Sequence, residues 1–189
     1  MIYLLNERKK AIFLDRDGTI NVDKDYLYKI EDFQFEPKAD EALKILYDLG
    51  YILIIVTNQS GIARGYYSEE DVEILHQDLS KILQEKGIEI SKFYYCPHHP
   101  TKGVGKYKTD CECRKPNPGM LLKGIEEFNV DPSLSYMVGD KKSDVDAGLK
   151  AGVTPIFLNN GKEEIPKDLS ENVLVFKSLY DFAIFLKNK

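Results

Sequence analysis

The sequence predicts an α/β fold of Rossmann-like type, a three-layer arrangement with a central parallel sheet between helices. Two observations carry this expectation. Short apolar runs, several rich in β-branched residues, alternate along the chain with longer segments that place apolar residues three or four positions apart. Three of the short runs stop abruptly on polar residues, at Asp15, Thr57 and Asp140. Ligands of open α/β sheets bind outside the carboxyl ends of the strands, so these three residues are expected to share one site.

Each element follows from its own pattern. Ala11 to Leu14 reads as a buried strand feeding a loop at Asp15. Pro37 opens a helix with Ala39, Ala42, Leu43, Leu46 and Leu49 on one face, and Gly50 ends it. Tyr51 to Val56 reads as a buried parallel strand ending at Thr57. Ser68, with Asp71 three residues on, caps a helix carrying Val72, Leu75, Leu79, Ile82 and Leu83, which Gly87 closes. His76 on that helix is read as a surface residue. Phe93 to Tyr95 is a short strand. Cys96 to Pro118 loses all periodicity and is expected to be the one irregular segment. A helix then runs from Asn117 and Pro118 through Phe128, followed by a strand at Tyr136 to Val138 and a helix from Ser143 to Ala151. Strands at Thr154 to Leu158 and Val173 to Phe176 precede a final helix from Ser178 to Lys187. No repeat or low-complexity segment interrupts this order, and residues 1–189 are expected to form a single domain.

Composition narrows the function classes. Hydrophobic residues make up 43% and charged residues 30%, which is ordinary for a soluble globular protein. A net charge of −5 argues against nucleic acid as a partner, because such binding needs a basic stripe. The longest apolar stretch, Tyr51 to Val56, is far too short to span a membrane, and Met1 to Lys10 has no signal-peptide anatomy. Three cysteines, two of them one residue apart, make a poor disulfide framework and point to a reduced, cytoplasmic compartment.

Asp15-Arg16-Asp17-Gly18-Thr19 sets two carboxylates two residues apart at a strand end. In extended chain both would face one ligand, and Gly18 lets the backbone turn behind them. With Asp140 as a third oxygen donor, the set suits a hard cation. Taken alone, the pair is also what a turn cap looks like; the matching strand ends at Thr57 and Asp140 favour a site. Lys115, directly after the irregular segment and held towards extended geometry by Pro116, is expected in the site rather than on the surface.

Cys96-Pro97-His98 and Cys111-Glu112-Cys113 are two i, i+2 pairs that hold every cysteine of the chain. Cys96, His98, Cys111 and Cys113 match a tetrahedral Zn²⁺ set, with the zinc loop at about residues 96–113. Four protein ligands leave no open position, so this zinc is expected to be structural, offsetting the entropy of ordering a long loop. The Cys-x-His spacing favours His98 over His99.

Asp15-x-Asp17-Gly18-Thr19, Thr57-Asn58, Lys115 and Gly139-Asp140-x-x-x-Asp144 resemble the four ordered motifs of the haloacid dehalogenase (HAD) superfamily, across nearly the whole chain. The resemblance implies a phosphatase in which Asp15 is the nucleophile and Asp17 the general acid/base. It implies Mg²⁺ held by Asp15, the Asp17 backbone carbonyl and Asp140, with Asp144 supporting Lys115 or a metal-bound water. Thr57, Asn58 and Lys115 would donate to the phosphoryl oxygens.

Longer strings, Phe13 to Asp23, Thr57 to Gly65, Tyr95 to Pro100, Cys113 to Pro116 and Tyr136 to Lys141, resemble the zinc-containing heptose bisphosphatase branch of the superfamily. The histidinol-phosphate phosphatase branch is the alternative, although it tends to a shorter zinc loop. Neither branch has a large cap domain, and none is expected here. The resemblance implies a small phosphorylated sugar as substrate, cleaved at the 7-phosphate of a heptose 1,7-bisphosphate on the route to nucleotide-activated heptose. Its contacts would be Asp23, Lys24, Asp25, Tyr26, Asn58, Gln59, Ser60, Arg114 and Lys141. The chain departs from the branch at Lys24-Asp25, where His-Gly is frequent. A monomer is expected. A non-catalytic zinc module on a silent domain is the reading from another class, and the acidic balance and complete motif set weigh against it.

Overall fold

Along Ala11–Leu14 every side chain is buried, which only a strand covered on both faces permits. In the computed structural model, which describes residues 7–161, 165–169 and 173–189, Ile12 and Leu14 face one helical layer and Ala11 and Phe13 the other. Most of the N-terminal segment read above for a signal peptide lies outside the described residues.

The strands are β1 (Ala11–Leu14), β2 (Ile52–Asn58), β3 (Ile90–Cys96), β4 (Tyr136–Gly139), β5 (Thr154–Leu158) and β6 (Leu174–Phe176). They form one sheet in the order β3-β2-β1-β4-β5-β6, every neighbouring pair parallel. The helices are α1 (Ala39–Asp48), α2 (Ser60–Ala63), α3 (Glu69–Glu85), α4 (Gly119–Phe128), α5 (Lys142–Ala151) and α6 (Leu179–Lys187). Apolar residues of α1, α3 and α6 pack on the face bearing Ile12, Leu53, Ile55 and Val138. Those of α4 and α5 pack on the face bearing Phe13, Ile54, Val56 and Met137. This is the Rossmann-like three-layer fold that the alternating pattern predicts. Strand order reverses at β1, between β2 and β4, and the crevice at such a reversal opens above the strand ends.

The differences from expectation have physical causes. β3 is Ile90–Cys96 rather than Phe93 to Tyr95, because ladder pairing with Leu53 to Asn58 recruits polar Ser91 and Lys92 at an edge. Helix α4 starts at Gly119 with Pro118 as its N-cap, and Asn117 closes the preceding turn by its N–H to the Arg114 carbonyl at 2.8 Å. The short helix α2 carries no periodic signal of its own. Cys96 to Pro118 is not the only irregular segment, a correction to the sequence reading. Residues 15–38 contain only a 3-10 turn at Ile30–Asp32, yet bury Ile20 and Leu27. Ser68 caps α3 as expected, with reciprocal bonds from Asp71 N to Ser68 Oγ (3.1 Å) and from Ser68 N to Asp71 Oδ2 (2.7 Å).

Candidate active site

The site lies at the strand-order reversal. Asp15, Asp17, Thr57, Asn58, Lys115, Lys141, Ser143 and Asp144 line one small polar cleft of about 40 Å³. β1 delivers Asp15, whose backbone N–H bonds the Val138 carbonyl at 2.9 Å and locks it against β4. β2 delivers Thr57 and Asn58, and the turn after β4 delivers Asp140. The chain leaves extended geometry at Arg16, so Asp17 does not face the ligand by strand alternation as the sequence reading supposed. It reaches the same cleft through a turn closed by Gly18 N–H to Asn21 O at 2.7 Å. Gly18 has φ +85°, and a Cβ there would run into the Asp140 carboxylate, so only glycine fits.

Lys115 is buried, and its ammonium donates to two oxygens and lies in ion-pair contact with a third. Nζ lies 2.8 Å from Asp15 Oδ1, 2.7 Å from Val56 O and 2.6 Å from Asp144 Oδ1. Its backbone is clamped by Asn58, which accepts from Lys115 N–H at 3.1 Å and donates to Lys115 O at 3.0 Å. Asp144 also accepts the Lys141 N–H on Oδ2 at 3.0 Å, capping α5 while it faces Lys115. The sequence reading expects Asp144 beside Lys115 or a metal-bound water, and its carboxylate lies against Lys115.

Burial disfavours charge on the carboxylates. It pushes Asp15 up to about 6 even though Lys115 pulls the other way. Burial, reinforced by the Asp15 charge, pushes Asp140 up to about 8. Asp140 Oδ1 is buried with no hydrogen-bond partner, and ligand atoms of Asp15, Asp140 and Asp144 lie within 4.8 Å of one another. Crowded oxygen donors with an orphaned lone-pair site fit a hard divalent cation, and Mg²⁺ suits the set.

Asp17 is ionised in a cage of donors. Oδ1 accepts from Asn21 Nδ2 at 2.9 Å and Arg16 Nη2 at 3.1 Å; Oδ2 accepts from Gln59 Nε2 and Arg16 Nη2, each at 3.0 Å. Burial acts to raise its pKa, but the Arg16 charge and these hydrogen bonds together hold it below the usual carboxylate range. Arg16 is fully buried and also meets His76 Nε2 at 3.2 Å. Since guanidinium only donates, His76 accepts on Nε2 and is a neutral ring, stacked on Phe93 at 4.7 Å. His76 is therefore not the surface residue read from the sequence; it is 5% exposed. Its place beside Val72, Leu75 and Leu79 on the apolar stripe of α3 was the available signal. Arg16 and Asn21, inside a quoted motif but given no role, are the other missed residues.

The expected substrate contacts divide. Lys141 lines the cleft and bonds Asp23 Oδ2 at 3.1 Å, joining the residue 23–26 loop to the strand ends. Lys24 instead turns to the Asp32 carbonyl at 2.9 Å, and Tyr26 packs edge-on against Tyr66. Asp25, where glycine is frequent in the resembling branch, has φ 49°, a left-handed conformation glycine takes freely. Ser60 begins α2. Gln59 is buried, with its amide committed to neighbouring side chains. Arg114 Nη1 donates to the His98 carbonyl at 3.0 Å, tying it to the cysteine cluster.

Cys96, His98, Cys111 and Cys113 converge as expected. The Sγ pairs lie 3.1, 3.2 and 3.5 Å apart, and His98 Nδ1 is 3.5 Å from Cys113 Sγ and 3.8 Å from Cys96 Sγ. Ligand bonds of about 2.3 Å to sulfur imply tetrahedron edges of about 3.8 Å, so a small expansion admits Zn²⁺. All three cysteines are free thiols. His99 points elsewhere, its Nδ1 accepting from the backbone N–H of Thr101 and Lys102 at 3.2 and 3.0 Å.

A buried strand-end aspartate paired with a lysine and a metal-ready carboxylate group, on this sheet order, defines a HAD-type phosphatase. The HAD-hydrolase-like family profile matches residues 112–182. The chain is 46% identical over 180 residues to the D-glycero-β-D-manno-heptose-1,7-bisphosphate 7-phosphatase of Pasteurella multocida, covering 95% of this chain and 97% of that protein. It is 41% identical to the Escherichia coli K12 enzyme of the same name, covering 95% and 94%. A solved structure of D,D-heptose 1,7-bisphosphate phosphatase from B. bronchiseptica, complexed with magnesium and phosphate, superposes with TM-score 0.83 at 31% identity, covering 95% of this chain and 98% of that one. The chain belongs to the family these enzymes form within the HAD superfamily, and it is a phosphomonoester hydrolase. Among the described residues no helix is long and apolar enough to cross a membrane.

Proposed function

We propose that the chain is a Mg²⁺-dependent phosphatase that removes the 7-phosphate of D-glycero-D-manno-heptose 1,7-bisphosphate through an aspartyl-phosphate on Asp15. The observation that carries the substrate is the 46% identity to an enzyme of that name across 95% of the chain. The chemistry is supported by the opposed environments of Asp15 and Asp17.

Asp15 attacks phosphorus in line as the bond from phosphorus to the bridging oxygen breaks. The departing oxygen keeps the electron pair and takes a proton from Asp17. Donors hold Asp17 ionised at rest, and the approach of a phosphate dianion raises its affinity for a proton, because like charges disfavour each other. In the second half Asp17 takes a proton from water as the water oxygen bonds phosphorus and the Asp15–phosphorus bond breaks. Charge leaving Asp15 weakens its bond to Lys115, freeing one N–H for a phosphoryl oxygen, and Thr57 supplies another donor. Mg²⁺, held by Asp15, Asp140 and the Asp17 carbonyl, would offset the repulsion between carboxylate and phosphate.

With no large cap domain among the described residues, discrimination falls to the rim. Arg114 offers a planar fork for the remote phosphate or sugar hydroxyls, and Asp23, Asp25, Tyr26, Ser60 and Lys141 complete the contacts. Binding energy from that end positions the reacting phosphate. The enzyme acts as a cytoplasmic monomer, one domain with its zinc loop at about residues 96–113, and supplies heptose 1-phosphate for nucleotide-activated heptose.

A substrate panel tests this. kcat/KM for the heptose bisphosphate is expected to exceed that for histidinol phosphate by at least about a hundredfold, roughly 2.7 kcal/mol of differential transition-state binding. Arg114→Ala erodes that ratio more than it slows a featureless phosphomonoester. Equal efficiency on both substrates would overturn the assignment.

A further inference from the structure

Gln59 follows the end of β2 and is 2% exposed, too deep to meet a sugar. A primary amide has two N–H hydrogens and one oxygen, and here every group has a partner. Nε2 donates to Asp17 Oδ2 at 3.0 Å and to Thr57 Oγ1 at 2.8 Å, while Oε1 accepts from the Tyr67 hydroxyl at 2.7 Å. The orientation of the amide is fixed from both ends. Ionised Asp17 only accepts, so Nε2 must face it, and the Tyr67 hydroxyl supplies a donor for the oxygen on the far side.

We propose that Gln59 is the positioning residue that couples the acid/base carboxylate to the phosphate-binding hydroxyl, and that Tyr67 sets the direction in which Gln59 faces. This rests on the roles given above to Asp17 and Thr57.

The coupling has two arms. On one, Gln59 and Arg16 hold Asp17 Oδ2 while Arg16 and Asn21 hold Oδ1, so proton transfer occurs along one line. On the other, Thr57 Oγ1 already accepts from Gln59. Its single hydrogen is then left for the cleft, where Asp15 and Lys115 also face. A threonine without that donor would be free to turn its hydrogen inward. Tyr67 is held by its ring rather than by its hydroxyl. It stacks on Tyr28 at 5.2 Å with 20° between planes, and it packs where any Cβ on Gly61 would collide with it. Glycine at 61 is thus needed to let the ring approach α2.

Leaving-group dependence separates positioning from a merely structural role. p-Nitrophenyl phosphate expels a stable anion and needs no proton for the first step, whereas glycerol 2-phosphate needs one. General acid catalysis contributes about 10²–10⁴-fold, so losing its geometry should be felt on the second ester alone. In rapid mixing, Gln59→Leu is expected to release the first turnover of nitrophenolate within about tenfold of the wild-type rate. Its kcat on glycerol 2-phosphate should fall about a hundredfold or more. Tyr67→Phe keeps the stacked ring and should show the same pattern, with about a tenfold loss on the alkyl ester. If Gln59→Leu slows both esters by one common factor, or if Tyr67→Phe matches wild type on both, the proposal is overturned. Asp17→Asn in parallel keeps the two failures apart. A flat leaving-group response in that variant would reject Asp17 as the acid, and this assignment with it; a steep response there beside flat ones at Gln59 and Tyr67 would reject the coupling alone.

Discussion

Lys115 and Asp15 stand 100 residues apart in sequence, yet their charged groups meet at 2.8 Å in a buried pair. The same ammonium faces Asp144 Oδ1 at 2.6 Å, so one cation neutralises the nucleophile and a supporting carboxylate together. Breaking a buried pair leaves an uncompensated charge, which makes Lys115 costly to remove for both chemistry and stability.

Lys115→Met is expected to lower kcat by about 10²–10³-fold, the usual loss when one donor to developing charge is removed. It should also reduce stability by about 3 kcal/mol through the stranded Asp144. Asp144→Asn retains an oxygen for the Lys141 N–H and should cost about 10–100-fold in kcat, as supporting partners typically do. Steady-state kinetics and denaturant unfolding measure both. Wild-type turnover in Lys115→Met would remove it from the site.

Asp15→Asn should abolish turnover with the fold intact. Burial already opposes charge on Asp15, so the neutral amide is expected to leave the melting temperature unchanged or raise it. Asp17→Asn is expected to be severely impaired as well. Calorimetric melting alongside phosphate release separates chemistry from folding, and a wild-type kcat in Asp15→Asn would disprove the nucleophile.

One zinc per chain is expected by elemental analysis of protein purified without added metal. Arg114 bonds the carbonyl of His98, so the cluster and the rim arginine are mechanically linked. Cys111→Ser should lower the melting temperature and weaken heptose selectivity through Arg114, with little direct effect on the phosphoryl step. Absence of zinc, or unchanged melting in Cys111→Ser, rejects the structural metal.

His76 should make stability depend on pH. Burial first, and then the Arg16 charge, push its pKa down from 6.5 to about 3. A depressed pKa means the unfolded chain takes up a proton that the folded one refuses. Stability is therefore complete above pH about 6.5 and is lost as pH falls towards about 3, at about 1.4 kcal/mol per unit. Between pH 6.5 and 5 the loss from this residue is about 2 kcal/mol. His76→Gln keeps an acceptor for Arg16 without titrating, and its urea midpoint should change less over that interval. Parallel pH profiles for the two proteins would show that His76 is protonated in the fold or exposed.

The alternation of apolar runs and amphipathic helices, the polar strand ends at Asp15, Thr57 and Asp140, and the paired Cys/His spacing were all legible in the chain. Each depends on neighbours within a few residues, and local pattern carries that kind of information. By itself the sequence determined the layered fold, the converging carboxylates and the cysteine cluster. Only the tertiary structure decided that His76 lies inward against Arg16, and that Gln59 joins Asp17 to Thr57 instead of facing the cleft. It also decided that Lys115 donates to Asp15 and to the Val56 carbonyl while pairing with Asp144 of α5. Several of these contacts join residues far apart in sequence, His76 to Arg16 across 60 positions, Gln59 to Asp17 across 42 and Lys115 to Asp15 across 100. A buried polar group takes whichever partner the packed elements bring within about 3 Å, and no local periodicity records that choice.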